Sequence, residues 1–368
     1  MATIQKRTGK KKGTTYRVMW REPDGSQRSR SFGSMADARR WRTKVEHDMD
    51  AGEYVTRADA RTPLRDVAER WRTEGVFHRP TTAYAVESRL RNQIYPTFGD
   101  RPIGSITRGE VQAWVRRLSD SGLAPNTVRG CYRQLSTVFR SAVEDRVVVV
   151  SPCLNIDLPK VDRVEVEAPA LADVAAVWEA IDDRYRAILN VAAGTGMRIG
   201  EILGLTVDRV DFLRREIRVD RQGQNVGTGP FVLVPYTKSD SGVRRIPVGQ
   251  DVIDAIAAHI AEFGTGPEGV IFTSSRGGGI RRPEWLEAWK RARAKAGIDL
   301  RGVHQLRHLY ASALIRQNVD PNEIKRHLGH RSITETFDTY GHMWPNDEDR
   351  IRDAVGAAYG PGFLRAAK

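Results

Sequence analysis

The sequence predicts an α+β multidomain protein built from three parts. We expect a small β-sheet-plus-helix module at residues 1–55, an all-α domain at 63–155, and a mainly α domain with a small antiparallel sheet at 165–368. The chain has 368 residues, which is too long for one ordinary domain. Its apolar pattern alternates near the N-terminus and then takes a helical period. A polar stretch at 51–62 and a charged stretch at 158–169 interrupt the pattern and mark the boundaries.

The N-terminal module is predicted from two alternating segments and one helix. The segments TTYRVMWREP and SQRSRSF favour two strands, and Pro23-Asp24-Gly25 between them is typical of a turn. A helix is expected at residues 35–50, with Ser34 as its N-cap. Aromatic and aliphatic residues in these segments argue against a solvated basic tail, which would be poor in them.

The middle domain shows four apolar stripes at helical spacing. One helix is expected to end near Pro96, another to begin at Thr107 with Glu110 at a capping-box spacing, and a fourth to span Pro125 to Ala142. No lysine occurs between residues 63 and 150, where the basic side chains are arginines. The planar guanidinium suits phosphate oxygens, although a solvated arginine face is the ordinary alternative. Several of these arginines fall off the apolar stripes; the arginines of this domain include Arg116, Arg117, Arg129, Arg133 and Arg140.

The last domain alternates between helical and strand-like segments. The segments EIRVDR, FVLVPYT and VRRIPV favour strands, and residues 239–242 are typical of a turn between the last two. Helices are expected on both sides of these strands, at 171–182, 184–194, 199–206, 251–262, 283–296, 304–317, 321–328 and 332–341. A final amphipathic helix is expected at about 346–358.

Composition limits the classes of function. The net charge of +13 and the pI of about 9.9 favour an anionic partner, either nucleic acid or an acidic membrane surface. No apolar run is long enough to span a bilayer, and no apolar segment follows the basic N-terminus, so we expect no secretory signal. Cys131 and Cys153 form no disulfide or metal-binding pattern and are predicted to be buried packing residues. A reduced, cytoplasmic setting is expected.

Four segments of the last domain place basic or nucleophilic residues where a plain core does not need them. Each has an ordinary reading when taken alone; for example, Arg198 and Glu201 at i,i+3 spacing often form a surface ion pair. The segments are GTGMRIGEILGL with Arg198, YTKSDSGVRRIPV with Lys238, VHQLRHLYASALI with His304 and Arg307, and LGHRSITETFDTY with His330 and Tyr340.

In this order the four segments resemble the signature of the tyrosine recombinases, the phage integrase family. HQLRH resembles the family's His-x-x-Arg motif, and LGH followed by TY resembles its second histidine and nucleophilic tyrosine. Gln305 departs from the pattern, because aspartate is frequent there. The resemblance covers nearly the whole chain. It implies an arm-site DNA-binding module at 1–55, a helical core-DNA-binding domain at 63–155 and a catalytic domain at 165–368.

The resemblance implies a reaction and a role for each residue. Tyr340 would attack a DNA phosphate to give a 3′-phosphotyrosine, and a guanidinium pair would stabilise the charge on the phosphate. The other roles fall to Lys238 as general acid, His304 in proton transfer with Tyr340, and His330 as a hydrogen-bond partner of the phosphate; the guanidinium pair is Arg198 and Arg307. His308 is expected to face elsewhere and to be structural. No metal or nucleotide cofactor is expected.

The resemblance also implies partners: core-type and arm-type DNA sites, a homo-tetramer on DNA, and a DNA-bending host factor and an excisionase. Two other functions stay open at this point, a type IB topoisomerase-like enzyme and a catalytically inactive DNA-binding regulator. A zinc site is a further alternative, because His304 and His308 are spaced i,i+4 and His327 and His330 are spaced i,i+3.

Overall fold

The computed structural model describes most of the chain and divides it into two compact units, Met1–Asp162 and Arg163–Lys368. The described residues are 2–9, 13–23, 25–51, 54–56, 58–75, 79–161, 167–235, 242–344 and 348–359. The fold is helix-rich with small antiparallel sheets, which agrees with the predicted class. Within those ranges, no helix has the length and apolar character needed to cross a membrane.

The first unit begins with a three-stranded antiparallel sheet and one helix. The strands β1 (Thr3–Gly9), β2 (Gly13–Arg21) and β3 (Gln27–Phe32) pair in chain order, and α1 (Met35–Asp50) follows. Ser34 caps α1 by accepting a hydrogen bond from the amide of Ala36, so the predicted N-cap is confirmed. Strand β1 was not predicted, because its TIQKRTG sequence carries one large apolar residue and lies at the sheet edge.

The same unit continues with helices around a shared apolar core. These are α2 (Leu64–Glu74), α3 (Pro80–Arg89), α4 (Arg108–Asp120) and α5 (Pro125–Glu144). The capping box of Thr107 and Glu110 is present at the start of α4, as predicted. Cys131 and Cys153 are free and buried in this core, which confirms their predicted packing role.

The predicted helix end near Pro96 is wrong. The chain continues from α3 as a π-type helix at Leu90–Gly99, with Pro96 inside it. A proline has no backbone N–H and its ring crowds the preceding turn of an α-helix, whereas a π-type turn is wider. The helical path therefore passes the proline, and it buries Ile94 and Phe98 in the core.

One of the arginines singled out in the helical domain, Arg129, forms a hydrogen bond with the protein backbone, so it is not simply a solvated side chain. Arg129 Nη1 donates to the carbonyl oxygen of Pro159 at 2.9 Å. Arg108 similarly donates through Nε to the carbonyl oxygen of Leu154 at 3.2 Å. These two guanidinium groups thus fix the segment that follows α5, and part of their capacity is used within the protein.

The second unit contains nine described α-helices and five described strands. Its larger apolar core draws on residues from Val177 to Leu306, and a smaller one includes Tyr310, Leu328 and Tyr340. The helices are α6 (Leu171–Ala180), α7 (Asp183–Thr195), α8 (Ile199–Leu203), α9 (Gln250–Phe263), α10 (Arg282–Ala296), α11 (His304–Arg316), α12 (Pro321–Leu328), α13 (Ile333–Tyr340) and α14 (Glu348–Tyr359). The strands are β4 (Val210–Asp211), β5 (Glu216–Val219), β6 (Arg221–Gln224), β7 (Val232–Pro235) and β8 (Arg244–Pro247).

The pairing of these strands differs from the sequence interpretation. The sequence placed a turn between the segments that form β7 and β8. Instead, β7 pairs with β6, while β8 pairs with β5 in a sheet of order β4-β5-β8. Of the predicted turn at 239–242, residues 239–241 lie outside the described residues, as does Lys238.

Strand β6 lies against α8 at unusually close range. A Cβ atom added to Gly204 would lie 2.2 Å from the amide nitrogen of Gly223, so only glycine allows this approach. The contact fixes the β6–β7 pair against the helix that begins directly after Arg198.

Candidate active site

Three arginines of the second unit bind the C-terminal end of α12. Gly329 ends the helix in the left-handed conformation with φ +65°. The last carbonyl groups of a helix lack partners within it and carry the negative end of the helix dipole. Three successive carbonyl oxygens here each accept from a different arginine: His327 from Arg244 at 2.6 Å, Leu328 from Arg307 at 2.6 Å, and Gly329 from Arg198 at 3.2 Å.

Arg307 lies between the C-terminal ends of two helices. Its second bond runs from Nη1 to the carbonyl oxygen of Gly196, the C-cap of α7, at 2.7 Å. The residue is only 2% exposed. Burial, followed by the positive charge of Arg198, lowers the pKa of Arg307 to about 10. At neutral pH the side chain is still cationic, and the two helix ends stabilise its charge.

Arg198 reaches the same cluster from the start of α8, where Glu201 holds it. The Oε1 atom of Glu201 lies 3.2 Å from Arg198 Nη1, and Oε2 accepts the backbone N–H of Arg198 at 2.9 Å. The side chain of Glu201 is 0% exposed, and it also contacts Arg244. The i,i+3 pair suggested by the sequence is present, but its acidic partner is buried, unlike that of a surface pair.

Tyr340 ends α13 within this cluster and is 1% exposed. Its hydroxyl lies 2.9 Å from Nδ1 of His308. The ring of His330 stacks nearly parallel to the phenol, with centroids 6.3 Å apart and planes at 12°. Burial raises the pKa of Tyr340 to about 12, and the nearby charge of Arg307 opposes this shift. The phenol is therefore protonated at neutral pH.

The expectation that His308 faces away from the site is wrong. Its imidazole is the described partner of the Tyr340 hydroxyl. His304, Arg307 and His308 are spaced i, i+3 and i+4, so they share one face of α11, and this spacing was the sequence signal that could have identified His308. Burial, followed by the neighbouring His304, lowers the pKa of His308 to about 4, and the ring is neutral at physiological pH.

The other two predicted histidines lie on either side of this contact. His304 is exposed, and its ring meets that of His308 edge-on with centroids 4.8 Å apart. His330 is buried, and its Nδ1 lies 2.8 Å from the hydroxyl of Thr336. Burial and then the charge of Arg307 lower the pKa of His330 to about 4. A neutral imidazole can both donate and accept a hydrogen bond.

The structure thus joins four predicted residues by direct or shared contacts, namely Arg198, Arg307, His330 and Tyr340, and it places His304 next to them. Sequence reasoning missed two members of the cluster, Arg244 and His308. Three of the four histidines considered for zinc instead place a ring nitrogen near a hydroxyl group: His308 near Tyr340, His330 near Thr336, and His327 at 3.5 Å from Tyr310. Over the part of the chain that is described, no group of three metal-ligating side chains occurs.

This arrangement has the parts that phosphoryl transfer requires. Fixed guanidinium groups suit the non-bridging oxygens of a phosphodiester, and a phenol is a nucleophile that can form a covalent phosphate ester. Both are found here in one cluster of one chain.

Two segments of the chain match the models of known protein families. Residues 165–346 match the model of the phage integrase family, and residues 64–156 match that of the phage integrase central domain. An integrase from Mycobacterium phage FRAT1 is 30% identical over 259 residues, covering 66% of this chain and 73% of the relative. An integrase from Mycobacterium phage D29 is 27% identical over 323 residues, covering 82% of each.

Solved structures show the same fold. The Tn1549 transposon integrase in complex with a circular intermediate DNA matches with a TM-score of 0.68 and 22% identity, over 80% of this chain and 99% of that one. A lambda integrase tetramer bound to a Holliday junction matches with a TM-score of 0.60 and 17% identity, over 90% of this chain and 93% of that one. Together with the sequence matches, these findings establish that the chain belongs to the phage integrase family of tyrosine site-specific DNA recombinases.

Proposed function

We propose that this recombinase breaks a DNA strand by attack of the Tyr340 oxygen on the scissile phosphorus. A bond forms between that oxygen and phosphorus, and the bond from phosphorus to the 5′-oxygen breaks. The product is a 3′-phosphotyrosine and a free 5′-hydroxyl, and attack by the 5′-hydroxyl of another strand reverses the step. The observation that carries this proposal is the location of the Tyr340 hydroxyl in the same cluster as Arg307 and Arg198, within one chain.

The negative charge that develops on the phosphate during the reaction suggests a role for each basic group. Negative charge grows on the non-bridging oxygens during attack, and Arg198 and Arg307 stabilise it as donors already fixed by helix carbonyls. His330 donates a hydrogen bond to the phosphate. Lys238 protonates the departing 5′-oxygen; it is assigned from its place in the family motif.

The phenol proton needs an acceptor, because Tyr340 is protonated at neutral pH. His308 orients the hydroxyl through its Nδ1 contact. His304 lies against His308 at the exposed side and assists the transfer of the proton to solvent.

The proposed partners are DNA sites and further copies of the chain. The net charge of +13 favours phosphate contacts. We assign arm-type sites to the module at 1–55, core-type sites to the domain at 63–155, and catalysis to 165–368. A homo-tetramer would bind two duplexes in the host cytoplasm and integrate or excise a mobile element, with a DNA-bending host factor and an excisionase as accessory proteins. The C-terminal helix α14 of each chain exposes Ala354, Val355 and Ala358, and this apolar surface would pack against a neighbouring protomer.

The test is covalent capture on a nicked suicide substrate that carries the element's attachment site. Tyr340→Phe is expected to bind this DNA with unchanged affinity and to form no adduct detectable on a denaturing gel. Tyr185→Phe is the matched control, because Tyr185 is a buried tyrosine of the same unit that packs on Trp285. Adduct formation by the Tyr340 variant would refute the assignment. Relaxation of a plasmid that lacks any attachment site would instead favour the topoisomerase-like activity.

A further inference from the structure

We propose that Arg244 is a positioning residue of this site, which holds Arg198 in place through Glu201. The inference rests on the proposed function of Arg198 as a phosphate-binding group. Arg244 begins β8 and is not among the four residues joined above. It lies in the segment YTKSDSGVRRIPV, where the sequence pointed to Lys238 and gave no role to Arg244.

The guanidinium of Arg244 is fully engaged by the protein. Nη2 and Nη1 contact the two carboxylate oxygens of Glu201 at 2.7 and 3.3 Å. Nη1 also donates to the carbonyl oxygen of Gly242 at 3.1 Å, and Nε donates to that of His327 at 2.6 Å. The side chain is 2% exposed. A group bound on all three nitrogens and shielded from solvent cannot reach DNA, so its effect must pass through its partners.

Glu201 is the partner that connects Arg244 to Arg198, the proposed phosphate-binding group. Its carboxylate is buried and shared between Arg244 and Arg198. Burial disfavours an ionised carboxylate unless positive charge and hydrogen bonds compensate for it. Without Arg244 the carboxylate would either bind a proton and release Arg198, or draw the Arg198 guanidinium toward itself. Both outcomes move Arg198 away from the geometry it has in this structure.

A lysine cannot replace Arg244 here. Its single ammonium cannot contact both carboxylate oxygens and two separate carbonyl oxygens with the fixed geometry of a guanidinium. The next residue offers a matched control. Arg245 lies on the same strand but is 61% exposed and pairs with Glu216 at 3.3 Å.

The experiment measures single-turnover cleavage of a suicide substrate at saturating DNA, alongside DNA affinity and melting temperature. We expect R244K to slow cleavage roughly tenfold to a hundredfold, the range that follows from misplacing a group by about an ångström. DNA affinity should stay within about threefold, because Arg244 does not touch DNA, and R245K should cleave at a rate within about twofold of the wild type, as expected for an exposed pair. An R244K cleavage rate equal to that of R245K would overturn the proposal.

A double-mutant cycle separates positioning from general destabilisation. If Arg244 acts through Arg198, R244K should add little to the defect of R198K; independent defects would multiply. Multiplying defects would overturn the proposal while leaving the role of Arg198 intact. Wild-type cleavage by R198K would instead refute the proposed function of Arg198. If R244K fails to fold, R244Q replaces it, since its neutral amide can still donate a hydrogen bond to the Glu201 carboxylate, and the same non-additivity with R198K is expected.

Discussion

An exposed arginine in the helical part of the first unit and the buried arginines of the second unit make two different kinds of contact. In the first unit, Glu87 on α3 forms an ion pair with Arg91, four residues further along the chain, at 2.9 Å. The Arg91 side chain is 74% exposed. In the second unit, Arg244 and Arg307 are buried and bind helix carbonyls or a buried carboxylate. The same side chain is thus a weak surface contact in one place and a fixed structural charge in the other.

The difference lies in how the protein compensates for the charge of each arginine. An exposed ion pair contributes about 0–1 kcal/mol, because water competes for both charges. A buried cation costs free energy, and this cost is met only where several acceptors converge. The C-terminal ends of α7 and α12 supply such acceptors around Arg307. Three predictions test this contrast, in order of expected effect.

The largest effect is expected from Arg307→Ala. It removes a fixed donor near Tyr340, the proposed nucleophile, and leaves the carbonyl groups of Gly196 and Leu328 without their partner. Cleavage of a suicide substrate should fall by about a hundredfold or more, as for other fixed transition-state donors, and the melting temperature should drop.

Arg316→Ala on the same helix is the control for Arg307. Arg316 is exposed, and its one described bond is to Ser312 at 3.4 Å. Its loss should leave both measurements nearly unchanged. Equal effects of the two variants would contradict the contrast between buried and exposed arginines.

An intermediate effect is expected at His308. Its pKa is about 4 in the folded protein and 6.5 as the ordinary value, so the unfolded chain binds more protons between these pH values. The contribution of His308 to stability is complete above about pH 6.5, decreases as the pH falls toward about 4, and levels off below that. His308→Asn should therefore make the melting temperature less dependent on pH across this window, measured by circular dichroism.

Substitutions of His308 also test its contact with Tyr340, the proposed nucleophile. Asn can keep a polar atom near that of Nδ1, whereas Ala cannot, so His308→Asn should cleave faster than His308→Ala. His47→Asn is the control, since His47 is exposed on α1. An unchanged pH dependence in His308→Asn, or equal cleavage by the Asn and Ala variants, would argue against the contact with Tyr340.

The smallest effect is expected from Arg91→Ala. Removal of its exposed pair with Glu87 should change the free energy of unfolding by less than about 0.5 kcal/mol in a urea titration. A loss several times larger would show that the surface arginines of the helical domain are also fixed structural charges, and the comparison between the two regions would fail.

The sequence by itself determined the local features of the protein. The helical periods, the Ser34 cap, the Thr107–Glu110 capping box and the order of the four motifs depend on residues that are close along the chain. The shared face of His304 and Arg307 also follows from spacing alone. Local preferences failed where context altered them, as in the π-type helix that passes Pro96 and the polar edge strand β1.

Only the tertiary structure decided which distant groups meet. Arg244 reaches a carbonyl 83 positions away, and His308 meets a hydroxyl 32 positions away. Spacing could place His308 on the same face as Arg307, but it could not identify either distant partner. Both contacts depend on how helices and strands pack in the second unit. The burial of Glu201 has the same origin. The sequence therefore identified the groups that we propose to react, while packing determined which side chains hold them.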